Sequence, residues 1–188
     1  MGLSMKYCTE EVSEMIGEPR IILLDGEVNS AAAMNVVLKL LEMEKDSSTE
    51  EISLYINSPG GSIAAGLGIY DTINYINAPV STVCYGMAAS MGAFLLTCGV
   101  KGRRFALPHS TILIHQPLIQ MRDYVSARQT DIQKQAEGLL KSRNKLEKIM
   151  AANTGKSIDE IHIACERDNW MSAEQALDYG IIDGILTK

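Results

Sequence analysis

The sequence has few of the features that would point to a nucleic-acid-binding, membrane or secreted protein. Its 188 residues include 17 basic and 23 acidic residues, a net charge of −6, with no basic block. A nucleic-acid or anionic-membrane partner is therefore not expected. No apolar run approaches the roughly 18 residues of a spanning helix, and the acidic N-terminal stretch does not have the pattern of a signal peptide. We therefore expect a soluble, cytoplasmic protein.

Cysteine and histidine are sparse and lack the spacing of metal ligands. The four cysteines are Cys8, Cys84, Cys98 and Cys165, and no CxxC pair or finger spacing occurs among them. This favours buried, reduced thiols in a reducing cytosol. The three histidines show no ligand spacing either, and neither GxGxxG nor a phosphate loop is present. We expect no metal and no bound cofactor.

Aromatic residues make up only 5% of the chain, whereas hydrophobic residues make up 46%, so the core must be largely aliphatic. The length suits one domain over residues 1–188. Strand and helix patterns alternate, which predicts an α/β fold with largely parallel strands. Strands are predicted over 20–24, 52–56, 80–85 and 111–115. Helices are predicted over 31–44, 62–76, 87–98 and 124–153, followed by two short ones.

Several residues predict helix boundaries and faces. Ser30 can cap the first helix, whose residues Met34, Val37, Leu38 and Leu41 share one face. The longest helix has an apolar stripe that ends before a C-terminal Gly155. That stripe consists of Ile132, Ala136, Leu139, Leu140, Leu146 and Ile149. Two capping boxes begin the short helices: Ser157 with Glu160, and Ser172 with Gln175.

Ser90 is the first candidate for chemistry. It lies in the segment GMAASMGA (86–93), after a strand and near the start of a buried helix. The free N–H groups and the positive end of a helix favour an oxyanion beside such a hydroxyl. The alternative is a Ser that only packs among Ala and Gly. The Gly-x-Ser-x-Gly form of the nucleophile elbow is absent, so that motif gives no support.

The segment NSPGGS (57–62) joins a predicted strand to a predicted helix. Its paired glycines, Gly60 and Gly61, let the backbone approach a ligand closely because they have no Cβ. Their N–H groups can then point into a cleft. The alternative is a simple tight turn.

His115 and Asp168 complete the candidate set. His115 follows a predicted strand, and sites in open α/β sheets collect at the carboxyl ends of strands. An imidazole there can act as a base, although a structural role is the alternative. His109 precedes that strand, at the wrong end, and His162 is predicted on a helix surface. Asp168, in a loop, can orient an imidazole or simply be a solvated acid.

Taken together and in order, these segments closely resemble the ClpP family, the proteolytic subunit of the caseinolytic (Clp) protease. The resemblance covers about residues 20–186. It rests on LYINSPGG (54–61), GMAASMGA (86–93), IHQPL (114–118), ERD (166–168) and MSAEQA (171–176). These motifs in this order are far more specific together than any one of them.

The resemblance implies a ClpP/crotonase-like fold of repeated strand-helix units, with a long helix in the inter-ring region. It implies a serine endopeptidase with Ser90 as nucleophile, His115 as general base and Asp168 as orienting acid. The backbone N–H groups of Gly61 and Met91 would form the oxyanion hole. The expected reaction is hydrolysis of unfolded polypeptides through an acyl-enzyme on Ser90.

The resemblance also implies an assembly. The family forms two stacked heptameric rings fed by an ATP-dependent unfoldase, and ATP would be used by that partner. Glu166 and Arg167 would lie near the ring-to-ring contact, and residues 119–155 would form the inter-ring segment.

Two segments depart from the family pattern. Residues 119–129 lack the glycines usual after His-Gln-Pro-Leu, and residues 1–19 do not match the usual axial-loop pattern. Both suit a specialised second paralogue that works with another ClpP subunit. Two other interpretations stay open: a structural or regulatory ring subunit with little activity alone, and an acyl-CoA enzyme of the crotonase superfamily. The Ser/His/Asp set counts against the latter.

Overall fold

The computed structural model of the protein describes residues 20–118 and 128–187. Seven strands and six helices alternate along these two ranges and confirm the predicted α/β class. The strands are β1 (Ile21–Asp25), β2 (Ile52–Ser58), β3 (Val80–Ala89), β4 (Arg104–Ala106), β5 (Thr111–Ile114), β6 (Asn169–Ser172) and β7 (Gly184–Ile185). The helices are α1 (Ser30–Asp46), α2 (Ile63–Tyr75), α3 (Met91–Leu96), α4 (Gln129–Thr154), α5 (Ile158–Ala164) and α6 (Ala173–Tyr179).

One sheet contains all seven of these strands. Its main path is β1-β2-β3-β4-β7, and all neighbours along it are parallel. Strand β5 also pairs in parallel with β3, and β6 pairs antiparallel with β5. The core is aliphatic, as the composition required: Ile52, Leu54 and Ile56 of β2 are each fully buried. Helices joining parallel strands place successive strand ends at one edge of the sheet.

Strand β3 is longer than predicted. The sequence suggested that Gly86 ends the strand, but β3 continues to Ala89. Thr82–Cys84 pair with β4, and Met87–Ala89 pair with β5. The register with β2 shifts at the same place, and the Asn57 side chain accepts a hydrogen bond from the Met87 N–H at 3.1 Å. The helix predicted over 87–98 is therefore shortened to α3, and Ser90 lies at the junction.

The first helix presents a different face to the core from the one predicted. Its buried residues are Ala33, Val36 and Leu40, whereas Met34 and Leu38 are more than half exposed. The helix packs against α2 and β1. The cap is also shifted by one residue, since the Asn29 side chain, not Ser30, accepts from the Ala32 N–H.

The long helix α4 begins at Gln129, so residues 124–127 of the prediction lie outside the described residues. Its predicted stripe is only partly correct. Leu146 and Ile149 pack against the core, but Ile132 and Leu140 are more than half exposed. The second half of α4 packs against the hydrophobic core, whereas Ala136 and Leu139 of the first half line a groove beside Gln116 and Pro117. Gly155 ends the helix in the left-handed conformation, as predicted.

Both predicted capping boxes are formed, at Ser157 with Glu160 and at Ser172 with Gln175. In the part of the chain that the structure describes, no helix combines the length and apolarity needed to cross a membrane. The expectations for Cys8 and for the segments 1–19 and 119–127 fall outside the described residues.

Candidate active site

The predicted site residues converge where parallel strands end. Gly60 follows β2, Ser90 follows β3 and His115 follows β5. The Ser90 N–H donates to the Leu113 carbonyl oxygen at 2.8 Å, which continues the β3–β5 ladder by one residue. Ser90, Met91, Gly61 and His115 line one pocket at this edge of the sheet.

Ser90 has an unusual backbone. Its φ is +54° and its ψ is −117°, and it is the only non-glycine residue with positive φ in ranges 20–118 and 128–187. Such conformations cost of order 1–3 kcal/mol and persist where surrounding structure enforces them, often at functional sites. Ser90 precedes α3 but makes no side-chain cap hydrogen bond. Ser90 therefore lies in a strained turn between a strand and a helix, although the sequence lacks the Gly-x-Ser-x-Gly motif that usually accompanies such a turn.

Gly60 and Gly61 shape the wall opposite the serine. A Cβ on Gly60, whose φ is +95°, would lie 2.6 Å from Ser90 Cβ and 3.0 Å from the Met91 nitrogen. A Cβ on Gly61, whose φ is +147°, would overlap the Val28 carbonyl oxygen. Both positions therefore require glycine, because a side chain would displace either the serine or the neighbouring loop. The sequence motif pointed to backbone approach, and the structure shows that Gly60 approaches Ser90 itself.

Two backbone N–H groups remain unpaired beside Ser90. Within the described residues, the Gly61 N–H and the Met91 N–H donate to no acceptor. Met91 is the first residue of α3, where an N–H has no partner inside the helix. Gly61 is held by its neighbours: the Val28 N–H donates to the Gly60 carbonyl oxygen, and the Ser62 N–H to that of Val28. Both N–H groups can donate hydrogen bonds to a negatively charged oxygen.

The antiparallel pairing of β5 with β6 brings His115 and Asp168 together. Ile114 lies opposite Asn169, so the next residues outward are His115 and Asp168. His115 Nδ1 lies 3.3 Å from Asp168 Oδ1, and the Asp168 side chain is 64% exposed. The angles are not those of a hydrogen bond, and the buried Nδ1 has no hydrogen-bond partner among the described residues. The ion-pair distance is reached, but the hydrogen bond is not formed.

The pocket beside Ser90 is largely apolar. Its apolar lining comes from α2, α3, β5 and the second half of α4. These side chains are Ile63, Met91, Phe94, Ile114, Leu146 and Met150. Such a lining fits an apolar side chain better than a charged one.

A charged cluster closes one side of this pocket and was not predicted from the sequence. Arg143 and Glu147, four residues apart on α4, are joined by a 2.7 Å contact between Nε and Oε1. The Glu147 side chain is only 6% exposed. His162 Nδ1 lies 3.1 Å from the same carboxylate, so the predicted surface histidine is half exposed but in contact with a buried side chain. The spacing of four residues between Arg143 and Glu147 in a predicted helix could have indicated their ion pair.

Glu166 and Arg167, predicted near the ring contact, differ in environment. Glu166 accepts from Arg143 Nη2 at 3.0 Å within its own chain. Arg167 is exposed and lines a shallow groove with Leu118 and Asp168. His109 lines a separate groove with Trp170, away from Ser90.

The thiols near the site are not activated. Burial raises the pKa of Cys84 to about 11. Burial, together with the nearby Glu147 carboxylate, raises the pKa of Cys165 to about 11. Within ranges 20–118 and 128–187, Cys84, Cys98 and Cys165 are free thiols, as expected. Since the thiolate is the nucleophile, the Cys165 that lines the pocket is not a competing candidate.

An α/β sheet with a strained serine, a histidine and unpaired N–H groups at one edge has the form of a hydrolase site. The family model of Clp proteases, described as Clp protease, matches residues 5–188. The chain therefore belongs to the Clp protease family, and this membership supports a peptidase role. The match begins nearer the N-terminus than residue 20, where the motif resemblance began. Members of this family generally assemble into rings with Clp ATPases.

Proposed function

We propose that this chain is a serine-type endopeptidase subunit that cleaves unfolded polypeptides through an acyl-enzyme on Ser90. One observation carries the proposal. Ser90 has a strained backbone and a side chain that makes no cap hydrogen bond. It shares a pocket with His115 and with the Gly61 and Met91 N–H groups, which donate to no acceptor among the described residues. Clp protease membership supports peptide-bond hydrolysis as the reaction.

In the proposed mechanism, Ser90 Oγ attacks the carbonyl carbon of a peptide bond while His115 takes its proton. The N–H groups of Gly61 and Met91 stabilise the negative oxygen of the tetrahedral intermediate. His115 then gives the proton to the leaving amine, and the acyl-enzyme forms. A water molecule, deprotonated by His115, hydrolyses the ester and restores the serine.

Asp168 is proposed to orient the imidazole through Nδ1 and to stabilise the imidazolium. Among the described residues, the Ser90 hydroxyl makes no cap hydrogen bond and His115 Nδ1 has no hydrogen-bond partner. Hydrogen bonds between catalytic groups are often loose before substrate binds, and they tighten in the complex. Substrate binding or assembly must therefore complete this alignment.

The apolar pocket supports a preference for an apolar side chain at the residue whose carbonyl is attacked. Phe94 and Met150 are buried in its wall, so a charged side chain would lose its hydration there.

The proposed assembly is two stacked heptameric rings, alone or with a paralogous subunit, fed by an ATP-dependent unfoldase of the Clp type. Exposed apolar side chains on α1 (Met34, Leu38) and on the first half of α4 (Ile132, Leu140) support burial against other subunits. Arg167 is exposed and free to contact a second ring, whereas Glu166 already pairs with Arg143.

The test is intact-mass analysis after treatment with a fluorophosphonate probe. We expect one adduct on the assembled wild type and on Ser48→Ala, an exposed loop variant, but none on Ser90→Ala. Ser90→Ala should abolish peptide hydrolysis, and retained turnover would refute the nucleophile assignment. An assembled wild type that takes up no probe would support the alternative, a structural or regulatory ring subunit.

A further inference from the structure

Arg143 connects the two loops that carry the proposed base and its orienting acid. Its Nη1 donates to Gln116 Oε1 at 2.9 Å, and its Nη2 donates to Glu166 Oε2 at 3.0 Å. Gln116 directly follows His115, and Glu166 lies two residues before Asp168. We propose that Arg143 is a positioning residue that sets the alignment of Asp168 with His115, an inference that rests on the proposed serine peptidase function.

The alignment needs such support because the β5–β6 ladder ends one pair too early. Its last pair is Ile114 with Asn169. Asp168 lies beyond it, largely exposed, and its carboxylate accepts no hydrogen bond among the described residues. Only the loop backbone can therefore hold Asp168 at its 3.3 Å distance from His115.

Gln116 ties the two loops to each other. Its N–H donates to the Cys165 carbonyl oxygen at 2.6 Å, and its Nε2 donates to the Glu166 carbonyl oxygen at 2.9 Å. Arg143 then fixes the side-chain oxygen of Gln116 and the Glu166 carboxylate from α4. Two hydrogen bonds donated by Gln116 therefore join the loops directly. The Arg143 guanidinium joins them a third time, because it binds both the Gln116 side chain and the Glu166 carboxylate.

The chemistry of this position requires arginine. The planar guanidinium donates from three separate nitrogens: Nε to Glu147, Nη1 to Gln116 and Nη2 to Glu166. A lysine ammonium carries its donors on one nitrogen and does not reproduce this planar arrangement. Although partial burial alone would lower the pKa of Arg143, bonds to Glu147 and Glu166 raise it overall. Glu147, in contact with His162, anchors the guanidinium to α4.

The closing experiment separates positioning from a general structural role. Arg143→Met keeps an alkyl stem at the pocket but removes the three donors. Lys148→Met, an exposed change on the same helix, is the matched control. Both are assembled, checked by native mass, and assayed on a peptide substrate. We expect kcat to fall about 10- to 100-fold with Arg143→Met, because small misplacements of catalytic groups cost that much. KM should stay within about twofold, and Lys148→Met should match wild type.

A double-mutant cycle with Asp168→Asn gives the decisive readout. Asp168→Asn should lower kcat by about 10³- to 10⁴-fold in the wild type, since the amide favours the wrong imidazole tautomer. If Arg143→Met alone lowers kcat by a given factor, Asp168→Asn should lower kcat by that factor less in the Arg143→Met background than in the wild type. Arg143→Lys should recover only part of the activity. Independent, multiplicative losses would overturn the inference.

Two further measurements keep the result interpretable. Wild-type labelling by a fluorophosphonate is recorded first. No adduct on Ser90 would refute the proposed function and this inference with it, whereas labelling with multiplicative losses would refute the inference alone.

Additional variants control for the loss of an ion pair. Arg143→Met leaves the buried Glu147 without its main partner, so the double variant Arg143→Met/Glu147→Gln and the exposed Glu166→Gln are tested beside it. If Arg143→Met does not fold, Glu166→Gln decides: an unchanged kcat overturns the inference, and a several-fold loss coupled to Asp168 supports it.

Discussion

Replacing Gly60 by alanine tests the geometry of the candidate site most directly. The new Cβ would lie 2.6 Å from Ser90 Cβ, 2.7 Å from the Ala89 carbonyl oxygen and 3.0 Å from the Met91 nitrogen. None of these atoms can rotate away, because two belong to the backbone and the backbone fixes the position of a Cβ. The substitution therefore pushes on the proposed nucleophile and on one proposed oxyanion donor.

The expected magnitude has two parts. An alanine at φ +95° costs roughly 1–3 kcal/mol of conformational strain, and the overlap adds about 1–3 kcal/mol. Gly26 offers a matched control, because its φ is +84° and a Cβ there would have nothing within 4 Å. Gly26→Ala should show the strain alone. The change in unfolded-state entropy is the same in both variants and cancels in the comparison.

The assays are denaturant unfolding and the rate of fluorophosphonate labelling. Gly60→Ala should be less stable than Gly26→Ala by about 1–3 kcal/mol. It should also label about 100-fold more slowly, because losing one oxyanion donor alone costs about that much. Equal unfolding midpoints and equal labelling rates for the two variants would refute the reasoning.

Two other predictions concern titratable groups. Burial alone would raise the pKa of Asp183, but its bonds to Arg104 and to nearby backbone N–H groups hold that pKa below its ordinary value. This ion pair therefore contributes stability above about pH 4, which is lost as the pH falls through the folded pKa. Asp183→Asn should flatten the acid limb of a plot of the unfolding midpoint against pH, and a limb as steep as that of the wild type would contradict the prediction. The thiols of Cys84 and Cys165, with pKa values of about 11, should be alkylated slowly at pH 7.5 and rapidly in denaturant. Peptide mapping by mass would show this, and fast native labelling would contradict it.

Features set by neighbouring residues were predictable from the sequence. The capping boxes at Ser157 and Ser172 depend on side chains three residues apart. The left-handed ends at Gly155 and Gly180 depend on the lack of a Cβ. The alternation of strands and helices follows from hydrophobic periodicity. The residue types at positions 90, 115 and 168 restricted the chemistry to a small set.

The faces and ends of some elements could not be predicted, because distant contacts decide them. On α1, two apolar faces compete, and packing on α2 and β1 selects Ala33, Val36 and Leu40. Strand β3 passes through Gly86 because β5 offers a new partner after β4 ends. No local pattern carries this information.

Periodicity and side-chain type along the chain were enough to predict the α/β class, the two capping boxes and the candidate residues Ser90, His115 and Asp168. The tertiary structure decided how the candidates meet. The antiparallel β5–β6 pairing ends with Ile114 and Asn169 and so brings the next residues, His115 and Asp168, near each other. The turn after β3 gives Ser90 its positive φ. Arg143 joins both loops across more than twenty residues of chain in each direction. Such contacts form only when the whole core packs, so no window of sequence contains them.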